Sequence, residues 1–93
     1  MEEGGFLYLL ESFCKRHRYL GSTPHPEQRL SEHNNGSTKA TRDKGPWFLL
    51  GIWKLPTLRE ARQIEFQIKK QKKKLSIEYI SYVVNKQKEG EST

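Results

Sequence analysis

The sequence predicts an α+β fold: a small antiparallel sheet covered by helices, in the order strand, strand, helix, strand, helix, helix. Three observations predict it. Gly5–Leu10 and Trp47–Leu55 are short apolar runs rich in aromatic and branched residues, each bounded by turn-forming residues, as buried strands are. His17–Gly21 lies close enough behind the first run to pair with it as an antiparallel hairpin. From residue 58 onward the apolar residues change to helical spacing, behind a Thr57/Glu60 capping box. A chain of 93 residues, 33% of them hydrophobic, supplies one compact core and no second domain. The reading is therefore a single domain over 1–93, with its core at about 5–85 and a frayed polar tail from about 88.

Each element has its own justification. Gly5-Phe-Leu-Tyr-Leu-Leu10 is too short and too aromatic for a stable helix, and the polar stretch Glu11–Arg16 turns the chain into the second strand. Gly21-Ser-Thr-Pro-His-Pro26 ends the hairpin. Pro26 suits the first turn of a helix, where its missing amide hydrogen costs nothing. Glu27–Asn34 is that helix, and Gly36 is a natural terminator. Asn35–Pro46, rich in Gly, Ser, Thr and Lys, has few residues to anchor a core and reads as a mobile surface loop. Trp47–Leu55 is the clearest buried strand. Leu58, Ala61, Ile64 and Ile68 stripe a helix that runs to about Lys73, and Ser76–Gln87 forms the last one. The aromatics, 11% of the chain and including both tryptophans, are expected to supply much of the core.

Charge narrows the function. Lys and Arg total 17 against 11 Asp and Glu, a formal charge of +6 and a pI near 9.6. That balance favours polyanionic partners: nucleic acid first, then an acidic membrane surface or an acidic protein. Cys14 is the only cysteine, which excludes an intrachain disulfide framework or thiolate cluster and fits a thiol in a reducing compartment. The start, Met-Glu-Glu-Gly-Gly, lacks the basic flank of a signal peptide, and the longest apolar run is too short to span a bilayer. The expectation is an intracellular, soluble protein that is not secreted and does not enter a membrane.

A few polar residues stand out from this frame. Glu65 falls at helical spacing within the apolar stripe of Leu58, Ala61 and Ile68, where an ionised carboxylate is costly unless paired or metal-bound. The alternative is a stripe edge, with Glu65 reaching solvent or pairing with a lysine. Arg29 and His33, four apart, share one face of the short helix. A guanidinium that forks a phosphate beside an imidazole that moves a proton suits phosphodiester chemistry; a solvated helix face is the other reading. Tyr8 and Tyr19 lie on adjacent strands, either as core residues or with phenol oxygens serving a site. Lys69, Lys70, Lys72, Lys73 and Lys74 form a positive run, a solvated helix end or a phosphate contact.

Taken together, these residues fall into a known pattern. Phe6-Leu7-Tyr8, followed after a gap of ten residues by Tyr19-Leu20-Gly21, resembles the paired-tyrosine signature of the GIY-YIG nuclease superfamily, in particular its small stand-alone members. The match continues through Gly21-Ser-Thr, Arg29-Leu-Ser-Glu-His33-Asn-Asn-Gly36, Ala40-Thr-Arg42, Pro46-Trp47 and the helix from Glu60-Ala61 through Glu65 to Lys70. The His-Asn-x-Gly and Pro-Trp segments also resemble the nuclease subunit of branched-DNA resolving complexes. One departure is Phe6, where the first triplet has its glycine. None of the expected polar residues is missing.

The resemblance implies a three-stranded antiparallel sheet flanked by helices, and a metal-dependent endonuclease, of the kind used in DNA repair, that hydrolyses DNA one strand per active site. By position, it implies that Glu65 is the sole protein ligand of one divalent metal, Mg²⁺ or Mn²⁺. Arg29 would hold the scissile phosphate, and Tyr19 or Tyr8 would orient or deprotonate the attacking water with His33 assisting. Lys39, Arg42, Lys69, Lys70, Lys72 and Lys73 would contact backbone phosphates, giving little base specificity. The substrate, branched, nicked or plain, stays open, as does the oligomeric state. Two rivals stand beside this reading. One is a nucleic-acid-binding module without chemistry. The other is a nuclease subunit active only with a protein partner, docked on the aromatic and apolar surface of the last helix.

Overall fold

The computed structural model describes residues 4–39, 41–72 and 74–91, for 88–91 as backbone only. Its elements are β1 (Gly5–Ser12), β2 (Arg18–Thr23), α1 (Pro26–Asn34), β3 (Trp47–Leu55), α2 (Leu58–Gln71) and α3 (Ile77–Glu91). This is the expected α+β order, with one three-stranded antiparallel sheet in the order β2-β1-β3.

β1 takes the centre because its apolar run can be buried on both faces at once. Side chains alternate across a strand. Leu7 and Leu9 accordingly face α2 and α3, packed with Leu20, Leu55, Ala61, Ile64, Ile68, Ile80 and Val84. Tyr8 and Leu10 face the other way, against Trp47, with Tyr19, Leu30 and Leu49 beside them. The interior is thus two packed layers separated by the sheet, where the sequence reading expected one compact core. Aliphatic residues fill most of it, contrary to the expected aromatic share. Of the four phenylalanines, Phe13, Phe48 and Phe66 are exposed.

The hairpin is longer than its apolar residues indicate. Glu11 and Arg18 pair across β1 and β2, with Arg18 Nη2 2.9 Å from Glu11 Oε2, so polar residues extend both strands. At the other end, Tyr8 pairs with Gly21 and Leu7 with Ser22, carrying β2 past the glycine to Thr23. β3 pairs with β1 from Gly5–Leu55 to Ser12–Trp47, with a bulge between Leu9 and Leu10.

Among the helices, α2 starts as its capping box predicts, the Thr57 hydroxyl oxygen accepting from the Glu60 amide at 3.1 Å. It stops at Gln71, with Lys72 in the left-handed conformation (φ 56°); Lys73, where the sequence reading ended it, lies outside the described residues. α3 continues to Glu91, beyond the expected frayed tail; Lys86, Lys88, Glu89 and Glu91 are residue types that favour helix. α1 is the least apolar of the three. Its one fully buried residue is His33, so polar contacts, more than oil, dock it on the sheet. Among the described residues, no helix is long and apolar enough to cross a membrane.

Candidate active site

Four of the five expected site residues meet on the α1 side of the sheet. Tyr8 projects from the centre of β1 and is buried, its hydroxyl 3.0 Å from His33 Nε2. The Tyr8 and Tyr19 rings lie 6.2 Å apart by centroid, and the His33 ring sits 4.9 Å from Tyr19 and 5.8 Å from Tyr8. Arg29, one helical turn before His33, lies beside the Tyr8 phenol. Its guanidinium bonds Glu32, Nη1 to Oε1 at 2.6 Å. The i, i+4 spacing of Arg29 and His33 therefore turns both toward the Tyr8 phenol.

A chain of hydrogen bonds fixes the histidine. Thr41 Oγ1 donates to the Thr38 carbonyl and lies 2.7 Å from His33 Nδ1. With its proton committed to Thr38, Thr41 accepts from Nδ1–H, which leaves Nε2 as the acceptor for the Tyr8 hydroxyl. The electrostatics agree with a neutral ring. Burial, aided by the Arg29 charge and opposed by Glu32, holds the His33 pKa below its usual 6.5. Burial likewise raises the Tyr8 pKa to about 12, although the adjacent Arg29 guanidinium pulls against it. At neutral pH Tyr8 is a phenol donating to a neutral imidazole.

Glu65 belongs to the other side of the sheet and reaches the site round the edge formed by β2. Its neighbours Ala61, Ile64 and Ile68 are buried, while its carboxylate emerges at the stripe edge. Oε1 accepts from the Ser22 hydroxyl at 2.6 Å, and Oε2 pairs with Lys69 Nζ at 2.7 Å. Lys69 is i+4 from Glu65 and also lies over the Tyr19 ring, 5.2 Å from its centroid. Glu65 thus follows the stripe-edge reading, pairing with a lysine, and its carboxylate opens on a groove of about 390 Å³ lined by Ser22, Arg62, Glu65, Phe66 and Lys69.

A metal in this groove would find a spare ligand set. Among the described residues, no group of three or more His, Cys, Asp or Glu side chains is placed to hold one. Both ring nitrogens of His33 are engaged by Tyr8 and Thr41. That leaves the Glu65 carboxylate, an oxygen donor whose lysine partner is exposed, with water or substrate oxygens to complete the shell. Such a donor set suits a hard cation that keeps much of its hydration.

Residues 4–79 match the model of a family described as the GIY-YIG catalytic domain. The chain belongs to this family. A UPF0213 protein of Halalkalibacterium halodurans is 35% identical over 66 residues, covering 69% of this chain and 68% of that protein. One from Nitratidesulfovibrio vulgaris is 37% identical over 71 residues, covering 75% and 64%. The structure-specific endonuclease subunit slx1 of Aspergillus oryzae is 47% identical over 50 residues, 48% of this chain; the chain spans only 12% of that protein's length. Among solved structures, the UPF0213 protein of Bacillus halodurans, determined by NMR, is 29% identical over 88% of this chain and 83% of its own, with a TM-score of 0.45. Family and relatives support nuclease activity.

In this GIY-YIG domain the glycine of the second triplet has a visible cause. A Cβ on Gly21 would lie 2.4 Å from the Tyr8 hydroxyl oxygen, so the bare backbone of β2 is what lets the Tyr8 ring cross it toward His33. The first triplet carries a half-buried Phe6 in place of its glycine. The tight approach is one residue earlier, where a Cβ on Gly5 would fall 2.5 Å from the Leu58 Cα. The basic residues are less concentrated. Lys39, Lys70 and Lys72 are exposed, and exposed Arg42 donates to the Gly36 carbonyl. Among the described cations assigned to backbone phosphates, only Lys69 contacts the site residues directly; Lys73 lies outside the described residues.

Several participants carry no role in the sequence reading. Thr41 is buried, in the loop expected to lack anchors. Its carbonyl accepts from the Trp47 indole at 3.1 Å, and Asn34 bonds both backbone groups of Trp47, at 2.7 and 3.0 Å. The loop is thereby tied at both ends. Ser22, Glu32 and Arg62 complete the surroundings. The signal for Asn34, Thr41 and Trp47 lay in the His-Asn-x-Gly, Ala-Thr-Arg and Pro-Trp segments, which matched the family without saying what each residue does.

Proposed function

We propose that this GIY-YIG domain is a divalent-metal-dependent endonuclease that hydrolyses DNA, one strand per active site, with little base specificity. The observation that carries the reading is the meeting, round the edge of β2, of the Arg29–Tyr8–His33 cluster with the Glu65 carboxylate. A guanidinium, paired phenols, a neutral imidazole and one acidic oxygen donor together match the demands of phosphodiester hydrolysis. Glu65 would hold Mg²⁺ or Mn²⁺, which when bound supplies positive charge to a scissile phosphate. Arg29, with N–H donors beyond the one used on Glu32, would grip that phosphate. Tyr8 donates to His33, so its work is to aim the imidazole beside Arg29. Tyr19 is half-buried and faces the Lys69 ammonium, which makes it the phenol able to orient a water in the groove. Lys39, Arg42, Lys70, Lys72 and Lys73 would attract the backbone without reading sequence.

The deciding experiment is nicking of supercoiled plasmid and of a branched-DNA panel by wild type and by Glu65→Ala and Glu65→Gln, in Mg²⁺, Mn²⁺ and EDTA. The expected result is metal-dependent cleavage that both variants lose, with DNA binding kept by Glu65→Gln. Equal behaviour of all three proteins would replace the reading with that of a binding module. A second reading, a subunit active only with a protein partner, is favoured by exposed Ile77 and Tyr82 on α3. It accords with the fungal relative, which is a structure-specific endonuclease subunit. Cleavage that appears only when a partner is added would select it.

A further inference from the structure

The groove along the outer face of α2 takes no part in the chemistry above. It encloses about 720 Å³ and is lined by Leu58, Arg59, Arg62, Gln63, Phe66 and Gln67 of α2 and by Gln87 of α3. Phe66 directly follows Glu65 and is 69% exposed. Phe66 and Arg62 also line the smaller groove into which Glu65 opens, so the two grooves adjoin along these two side chains. Arg62 precedes Phe66 by one turn of α2 and Lys70 follows it by one, so the ring is flanked by cations on its own helix face.

The lining chemistry selects the occupant. No carboxylate is among the described residues that line the groove; guanidinium and amide groups surround one bare aromatic face. A protein partner's apolar anchor would find only Leu58 and Phe66, set among two guanidinium and three amide side chains. A nucleic-acid strand would find a ring to stack on, cations for its phosphates and amides for its base edges. A base inside a duplex keeps both faces covered by its neighbours, so only an unpaired one can use Phe66.

We propose that this groove holds an unpaired stretch of DNA beside the scissile phosphate, with a base stacked on Phe66, phosphates on Arg59 and Arg62, and base edges on Gln63 and Gln67. The proposal rests on the nuclease reading for the place of the cut, and it names the substrate as DNA with a single-stranded segment next to that cut.

The test is affinity for a short oligothymidylate and for a blunt hairpin duplex, measured in EDTA so that binding is read without cleavage. Phe66→Ala is expected to weaken oligothymidylate binding about tenfold, the loss of one base–aromatic stack, and to change duplex binding far less. Phe66→Trp should restore the affinity and add an indole emission that oligothymidylate quenches. Phe13→Ala, which removes another exposed aromatic, on the hairpin turn, serves as the control and should bind as wild type. Wild-type affinity in Phe66→Ala overturns the proposal and leaves the groove to a protein partner. Equal losses on single strand and duplex overturn it too. A failed nuclease reading gives a different result: no metal-dependent nicking by any of the proteins, with the oligothymidylate measurements standing apart from it.

Discussion

A buried phenol donating to a buried neutral imidazole has consequences that titration can read. His33 has a folded-state pKa below 6.5, so between that value and 6.5 the unfolded chain binds more protons than the folded one. Stability is therefore fully present above pH 6.5 and falls as the pH drops toward the folded value. Urea unfolding from pH 8 to 5 should show this decline, and His33→Gln should flatten it. Gly21 is the second sensitive residue. Gly21→Ala drives a methyl into the Tyr8 ring, which is buried and held by His33. Overpacking of this kind costs about 1–3 kcal/mol, and the Tyr8–His33 hydrogen bond should go with it. Loss of stability by urea titration, together with cleavage reduced far more than DNA binding, is the expected pair of results. Strand pairing, the i, i+4 rule and the apolar stripe brought Tyr8, Tyr19, Arg29, His33 and Glu65 to notice, and it was the GIY-YIG resemblance that gave them roles. Thr41 and Ser22 escaped because a hydroxyl has no periodicity, and what gives each its meaning is a partner on another element.

The α1–β3 loop is where the reading of elements fell short. Its composition indicated a mobile segment, yet Thr41 bonds His33, and Trp47 closes on both Thr41 and Asn34. These are bonds between segments, invisible to any window that slides along the chain. If the loop holds the histidine, Thr41→Val should leave the Nδ1–H without an acceptor and cost about 1–3 kcal/mol. Cleavage should fall with it, and Thr41→Ser should recover most of both losses. A Thr41→Val protein with wild-type stability and rate would show the loop to be idle. The elements around it were legible for the opposite reason. β3 matched its apolar run in its bounds, and α2 began at the cap its sequence announced, because each boundary is set by neighbours in sequence. As an edge strand, however, β3 buries fully only Trp47 and Leu55, where the sequence indicated the most buried strand. Strand ends were less legible: the Glu11–Arg18 pair lengthened a hairpin whose polar residues read as turn.

At the scale of the molecule, a formal charge of +6 set against a polyanion predicts binding that weakens steeply with salt. DNA affinity measured from low salt to several times that ionic strength should fall log-linearly, and replacing Lys70 and Lys72 with glutamine should make the slope shallower. The order β2-β1-β3 was half legible. An apolar run with no polar face implies a central strand, but it does not say that the interior divides in two around it. That division has a measurable signature. Ile64 packs in one layer and Leu10 in the other. The costs of Ile64→Val and Leu10→Ala should therefore sum to within about 0.5 kcal/mol in the double variant, whereas Ile64→Val with Leu9→Ala, inside one layer, should deviate. The same wall runs through the site. Glu65 is carried by the layer of α2, and the tyrosine–histidine chain by the layer of α1. Random variation can reshape either half without first breaking the other, so the carboxylate side and the phenol side are free to evolve on separate schedules while facing each other across a single strand.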